Sequence, residues 1–198
     1  MLKVAIILGS TRPNRNGEAV AKWVYELSKE RDDAEFQLVD LKDFDLPLLD
    51  EPLPLSMGQY TKPHTRKWAE TIASFDAYVF VTPEYNHSTS GALKNAIDYL
   101  YKEWNNKSAG FVGYGGVGGV RAIEHLRLIM AELQIADVRA QVSLSLITDF
   151  ENYHVFKPAP FHQKSVHQML DQVIAWAKVL KLLRTEEVVE TSLSAYSQ

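Results

Sequence analysis

The chain has 198 residues, nearly half of them apolar, so it can bury a substantial core, and one domain is the expected count. A formal net charge of −4 with no basic tract excludes a general nucleic-acid or anionic-membrane binder. There is no cysteine, which removes disulfides, thiolate nucleophiles and iron–sulfur ligation and leaves any redox chemistry to a bound cofactor.

The first stretch, Leu2 to Leu8, is an apolar run of strand length interrupted only by Lys3, the pattern of a strand buried on both faces. It opens into Gly9-Ser10-Thr11-Arg12-Pro13-Asn14-Arg15-Asn16-Gly17, and from about Glu18 the spacing of Ala19, Val20, Trp23, Val24 and Leu27 is helical. A polar loop with two arginines between a central strand and a helix N-terminus is where an open α/β sheet binds anions, because free N–H groups and the positive end of the helix dipole face out of it. Guanidinium groups suit phosphate, so the loop reads as a phosphate site. The plainer alternative is a solvated turn whose Ser and Asn cap the helix. Neither a Walker spacing nor G-x-G-x-x-G occurs in this loop, so the group bound here is neither a nucleoside triphosphate nor a pyrophosphate.

Phe36 to Leu41 reads as a second strand at an edge of the sheet. Residues Lys42 to His64 hold four prolines and little periodicity, a connection long enough to line a site or an interface. Trp68, Ala69, Ile72 and Ala73 mark a helix, and Ala77 to Val81 a third, fully apolar strand. That strand runs into Thr82-Pro83-Glu84-Tyr85-Asn86-His87-Ser88-Thr89-Ser90-Gly91 and a helix through Leu93, Ala96, Ile97 and Leu100. A fourth strand, Ser108 to Gly113, precedes Tyr114-Gly115-Gly116-Val117-Gly118-Gly119, where the glycines allow close approach of something flat or bulky. Val138 to Leu144 alternates strictly, which predicts a fifth strand covered on one face, at the other edge. After an aromatic segment, Ile147 to His162, a last helix runs through Val166, Met169, Leu170, Val173, Ile174, Ala177 and Leu180. The four tryptophans are read as helix packing. Residues 1–184 are expected to form the single domain and 185–198 a mobile C-terminal tail.

Five strand–helix units with less buried second and fifth strands predict a parallel sheet in the order 2-1-3-4-5, with a crevice over strands one, three and four. The fourth loop does contain G-x-G-x-x-G, Gly113 to Gly118, which leaves a Rossmann reading with Glu132 or Asp137 as the acid on a ribose. The histidines are too scattered for a metal site, and the serines have no nucleophile-elbow context. No apolar run approaches the roughly 20 residues that span a bilayer, and the N-terminus lacks a charged leader, so a cytoplasmic location is expected.

Three of these motifs together resemble the NAD(P)H-dependent FMN reductase family, which includes quinone, azo-dye and chromate reductases. They are Gly9-Ser10-Thr11-Arg12, Pro83-Glu84-Tyr85-Asn86 with Gly91-Ala92-Leu93-Lys94-Asn95-Ala96-Ile97-Asp98, and Tyr114-Gly115-Gly116-x-Gly118-Gly119, in order and each at a strand end, within residues 2 to 145. The resemblance implies a flavodoxin-like three-layer α/β sandwich, FMN as cofactor, and NADPH or NADH as co-substrate. It also implies hydride transfer through the flavin N5 in ping-pong order to a small-molecule acceptor: a quinone, azo compound, free flavin or metal oxyanion. By that resemblance Ser10, Arg12 and Asn16 hold the phosphate, Pro83, Glu84, Tyr85 and Asn86 line the ring and ribityl chain, and Tyr114, Gly115, Gly116 and Gly118 lie along the pyrimidine side. A homodimer or dimer of dimers is implied, and the segments Lys42 to His64 and Ile147 to His162 are expected at its interface or as the outer wall of the cleft. Family members often have proline where this chain has Ser90 and a small residue where it has His87, which makes His87 a candidate proton donor. The rival readings are a flavin electron carrier or redox-sensing protein without turnover, and a bare dinucleotide-binding protein.

Overall fold

The computed structural model describes residues 1–185, so the expected tail lies outside the described residues except for Thr185. Strand β1, Leu2–Leu8, is apolar apart from the exposed Lys3 because it divides by parity between two cores. Val4, Ile6 and Leu8 face helices α1, Gly17–Ser28, and α5, Phe161–Leu182, while Ala5 and Ile7 face α2, Pro63–Ala73, and α3, Gly91–Asp98. Strands β3, Ala77–Pro83, and β4, Lys107–Gly115, are buried at every position and split in the same way. Helix α4, Val120–Glu132, adds Ile123, Leu126 and Met130 to the second core. Strands β2, Ala34–Asp40, and β5, Ile135–Ser145, lie at the edges, and the parallel order is β2-β1-β3-β4-β5, as the sequence predicts.

This order sets the C-terminal ends of β1, β3 and β4 side by side, with Leu8 opposite Val81 and Pro83 opposite Tyr114. The loops that follow them share one rim of the sheet. Several boundaries differ from the sequence reading: β2 runs from Ala34 to Asp40, and β3 continues to Pro83. Strand β4 continues through Tyr114 and Gly115, because both pair with Leu144 and Ser145 of β5. Strand β5 starts at Ile135, and a register shift opposite Ala109 to Phe111 absorbs two extra residues of β5 between Asp137 and Gln141. The segment after β5 contains a short antiparallel hairpin, β6, Phe150–Glu151, with β7, Val155–Phe156. Trp68 and Trp104 are fully buried, but Trp176 is 46% exposed, so its expected packing role does not hold. Its helix covers the sheet with the face carrying Val173, Ile174 and Ala177, and Trp176 points away from that face.

The proline-bearing connection after β2 holds two single 3₁₀ turns, Leu41–Phe44 and Leu55–Met57. Its anchor is Glu51 at the start of α2. Burial works against the charge of this carboxylate, but N–H donors of Thr61 (2.9 Å) and Lys62 (2.9 Å) and the Thr61 hydroxyl (2.8 Å) outweigh it and hold the pKa at about 2. A pKa depressed in the fold contributes stability that is complete above the ordinary value of 4.5 and is lost as pH falls toward 2. The unfolding temperature is therefore expected to drop across that window and to drop less in Glu51→Gln, which a thermal scan against pH checks.

Among the described residues no helix is long and apolar enough to cross a membrane, and no three His, Cys, Asp or Glu side chains group as a metal site.

Candidate functional site

The loop between β1 and α1 separates the two arginines that the sequence offers together. Arg15 turns inward, with its side chain 7% exposed, pairs with both carboxylate oxygens of Asp40 at the end of β2, and donates to the Ser10 carbonyl. It braces the loop and is not a free anion ligand. Arg12 is exposed, with its guanidinium 6.0 Å from the centre of the Tyr85 ring. Ser10 is fully buried, and its hydroxyl shares a hydrogen bond with the Tyr85 hydroxyl (3.1 Å) and accepts from the Arg12 N–H (3.4 Å).

Helix α1 has no side-chain cap, so the N–H groups of its first turn lack helical partners and face the loop. Asn16 stands at the cap position but directs its amide elsewhere, donating to the Tyr153 carbonyl at 2.7 Å. Against the same turn lies the hydroxyl of Tyr114. Parity on β4 sends this ring to the α1 side of the sheet, so it reaches under Gly17, where any Cβ would overlap the hydroxyl and stand 2.9 Å from Leu8 Cδ1. The Tyr114 hydroxyl is buried and has no partner at hydrogen-bond geometry among the described residues; burial pushes its pKa well up, outweighing the nearby Ser10 side chain, so it stays a neutral donor. A buried, unpartnered hydroxyl, a buried serine, an uncapped helix start and a free guanidinium form a donor set that fits a phosphate monoester.

The second loop is a tight hairpin turn. Tyr85 and Ser88 exchange backbone hydrogen bonds (2.9 and 3.1 Å), with Asn86 and His87 between them at φ +48° and +75°, the geometry of a type I′ turn. Glu84 before it is 4% exposed at its side chain and is ion-paired with Arg121 of α4, accepting from Arg121 Nε at 2.6 Å. Arg121 also donates to His87 Nδ1 at 3.2 Å. A guanidinium cannot accept, so the ring proton of His87 sits on Nε2. At Ser90 the hydroxyl accepts from Leu93 N–H (3.1 Å), capping α3, and donates to the Gly9 carbonyl. A proline there could do neither, so in this chain Ser90 ties the second loop to the first.

The third loop turns through Gly118 and Gly119, both at positive φ, and a Cβ at Gly119 would stand 2.6 Å from the Tyr114 nitrogen. A narrow cleft of about 60 Å³ joins all three loops. It is lined by Arg12, Arg15 and Asn16, by Pro83, Glu84 and Tyr85, by Tyr114 and Gly115, and by Leu146. Asn86, Gly116 and Gly118 lie beside it in the turns, and Ser10 lies beneath it. A larger hollow of about 300 Å³, between Lys42, Leu46 and Asn95, shares only Thr11 with the first loop and gathers none of the expected site residues.

Sequence reasoning missed Leu146 and Arg121, since neither belongs to a motif and both arrive from elements beyond the three loops. The Rossmann alternative does not survive the fold. Asp137 sits at the start of β5 in an ion pair with Arg127, at the opposite end of the sheet from the glycine turn, and Glu132 closes α4.

Residues 2–149 match the family described as NADPH-dependent FMN reductase. An NAD(P)H-dependent FMN reductase of a Nectria species is 41% identical over 75% of this chain and 79% of its own length. A quinone reductase of Pseudomonas putida is 31% identical over 89% of this chain and 95% of its own. Among solved structures, the flavoenzyme NAD(P)H:(acceptor) oxidoreductase of Paracoccus denitrificans superposes with a TM-score of 0.71 at 22% identity, covering 90% of this chain and 98% of its own, a likeness of fold. The chain belongs to the NADPH-dependent FMN reductase family and is an NAD(P)H-dependent, FMN-using oxidoreductase of flavodoxin-like fold.

Proposed function

We propose that this reductase delivers electrons from NAD(P)H to a quinone-type acceptor at one site on the rim shared by the three loops, with the FMN phosphate at the start of α1 and the ring between the loops after β3 and β4. The observation that carries the placement is the unpartnered Tyr114 hydroxyl, buried against the uncapped first turn of α1 beside Ser10. In this reading the hydroxyls of Ser10 and Tyr114 and the first-turn N–H groups bond the phosphate oxygens, and Arg12 balances their charge. Asn16 stands at the rim. Pro83, Glu84, Tyr85 and Asn86 flank the ring on one side, and Gly115, Gly116 and Gly118 give it backbone to lie against on the other.

Bound FMN supplies the hydride acceptor and donor. Glu84 takes no proton in that transfer, because its carboxylate is committed to Arg121, while the pair keeps a fixed guanidinium beside the ring loops where developing negative charge is stabilised. His87, oriented by Arg121, offers its Nε2–H as a hydrogen-bond donor to an oxygen of the acceptor, whose protons come from solvent. The acceptor class is supported by the Pseudomonas relative, whose name is quinone reductase. One site serving both substrates predicts ping-pong kinetics. Initial rates with a benzoquinone at several NADPH or NADH concentrations are expected to give parallel double-reciprocal lines, and converging lines would contradict the single site. We also infer a homodimer, supported by the exposed Leu48, Leu53 and Met57 in the Lys42 to His64 segment, and a monomer by light scattering at micromolar concentration would overturn it.

A further inference from the structure

The stretch between β5 and α5 holds a buried carboxylate that the chemistry above does not use. Asp149 is 3% exposed at its side chain and takes four hydrogen bonds: from Ser145 N–H (2.9 Å), the Thr148 hydroxyl (3.2 Å), Ala159 N–H (3.1 Å) and His162 Nε2 (3.0 Å). Ser145 closes β5, Ala159 and His162 stand at the start of α5, and Thr148 is the adjacent residue, so one side chain staples both ends of the segment. Burying a carboxylate is costly unless its donors are fixed, and the staple makes the segment a defined shape.

Between the stapled ends the β6–β7 hairpin lies on α1, with Phe156 edge-on to Trp23 at 5.5 Å and against Phe150 at 5.1 Å. Its tip reaches the first turn of that helix. The Tyr153 carbonyl takes the Asn16 amide at 2.7 Å, and His154 Nδ1 stands 3.4 Å from Asn16 Oδ1. At the other end Leu146 N–H bonds the Gly115 carbonyl (2.9 Å) and its side chain lines the cleft. An asparagine at a helix start ordinarily turns back on the first-turn N–H groups. Here Asn16 has helical backbone (φ −66°, ψ −26°), from which its side chain does not reach back over the first turn; the hairpin contacts pin it in that arrangement, and those groups stay open to an anion.

We propose that Asp149, locked by His162, is a positioning residue for cofactor binding: it sets the β6–β7 hairpin so that Asn16 cannot cap α1, which keeps the phosphate donors free. This rests on the phosphate placement proposed above.

The test compares FMN with riboflavin, which lacks the phosphate, by quenching of flavin fluorescence, together with release of FMN from the loaded protein and thermal unfolding of each variant. Asp149→Asn and His162→Leu are expected to weaken FMN binding at least about tenfold, some 1.4 kcal/mol, to speed its release, and to leave riboflavin affinity within about twofold. His162→Gln, which keeps a donor toward Asp149, is expected to restore FMN affinity. Should Asp149→Asn not fold, the two His162 variants decide. Equal loss for FMN and riboflavin, following the loss of stability, would overturn the positioning role and leave the phosphate site standing. Equal affinity of the unaltered protein for the two flavins would instead overturn the phosphate site itself.

Discussion

Arg15→Ala is expected to destabilise the protein by about 2–4 kcal/mol, whereas Arg12→Ala is expected to change stability by less than about 0.5 kcal/mol and to weaken FMN binding about ten- to a hundredfold. The two residues are three apart in one loop and carry the same charge, so the difference rests wholly on where the chain directs them. Arg15 is buried against Asp40, itself only partly exposed, and removing the guanidinium leaves the Ser10 carbonyl without that donor and the carboxylate with the Lys42 N–H but no balancing charge. The exposure of Asp40 places the cost below that of a fully buried pair. Arg12 has no ion-pair partner among the described residues, and its charge is available to an anion at the loop. Urea unfolding and FMN titration of both variants check this. Similar stability losses in the two, or an FMN affinity insensitive to Arg12, would contradict the division of labour.

Tyr114→Phe is expected to move stability and cofactor binding in opposite directions. The hydroxyl is buried without a partner, so removing it stabilises the flavin-free protein by about 1 kcal/mol. The same change deletes one donor to the phosphate, and FMN binding is expected to weaken about ten- to a hundredfold, since a hydrogen bond to a charged group is worth about 1.5–3 kcal/mol. Riboflavin affinity should hardly change. A residue with only a packing role would give the reverse, a small loss of stability and no effect on FMN.

Much of this was legible in the sequence, because a doubly wound sheet announces itself in the apolar runs Leu2 to Leu8 and Ala77 to Val81 and in the weaker pattern of β2 and β5. Strand order then placed the three loops on one rim. Side-chain partners were not legible in the same way. The fate of Arg15 depends on Asp40, at the end of a neighbouring strand and 25 residues away, and no local pattern couples the two. The direction of Tyr114 needed the strand to extend through Gly115, since one residue more or less in a strand moves a side chain to the other face. The β6–β7 hairpin is too short for its period to show, and its anchor Asp149 looks in sequence like any loop acid. Trp176 misled because apolar spacing marks the core-facing side of a helix and says nothing of a large ring on the opposite side.

The most direct test is to load the protein with FMN, mix it anaerobically with NADPH or NADH in a stopped-flow instrument, and follow the flavin's visible absorbance. Rapid bleaching, followed by return of the absorbance when a benzoquinone is added, is the predicted result. Protein that binds FMN tightly yet keeps its absorbance in the presence of both coenzymes would contradict it and point to a carrier or sensor without turnover.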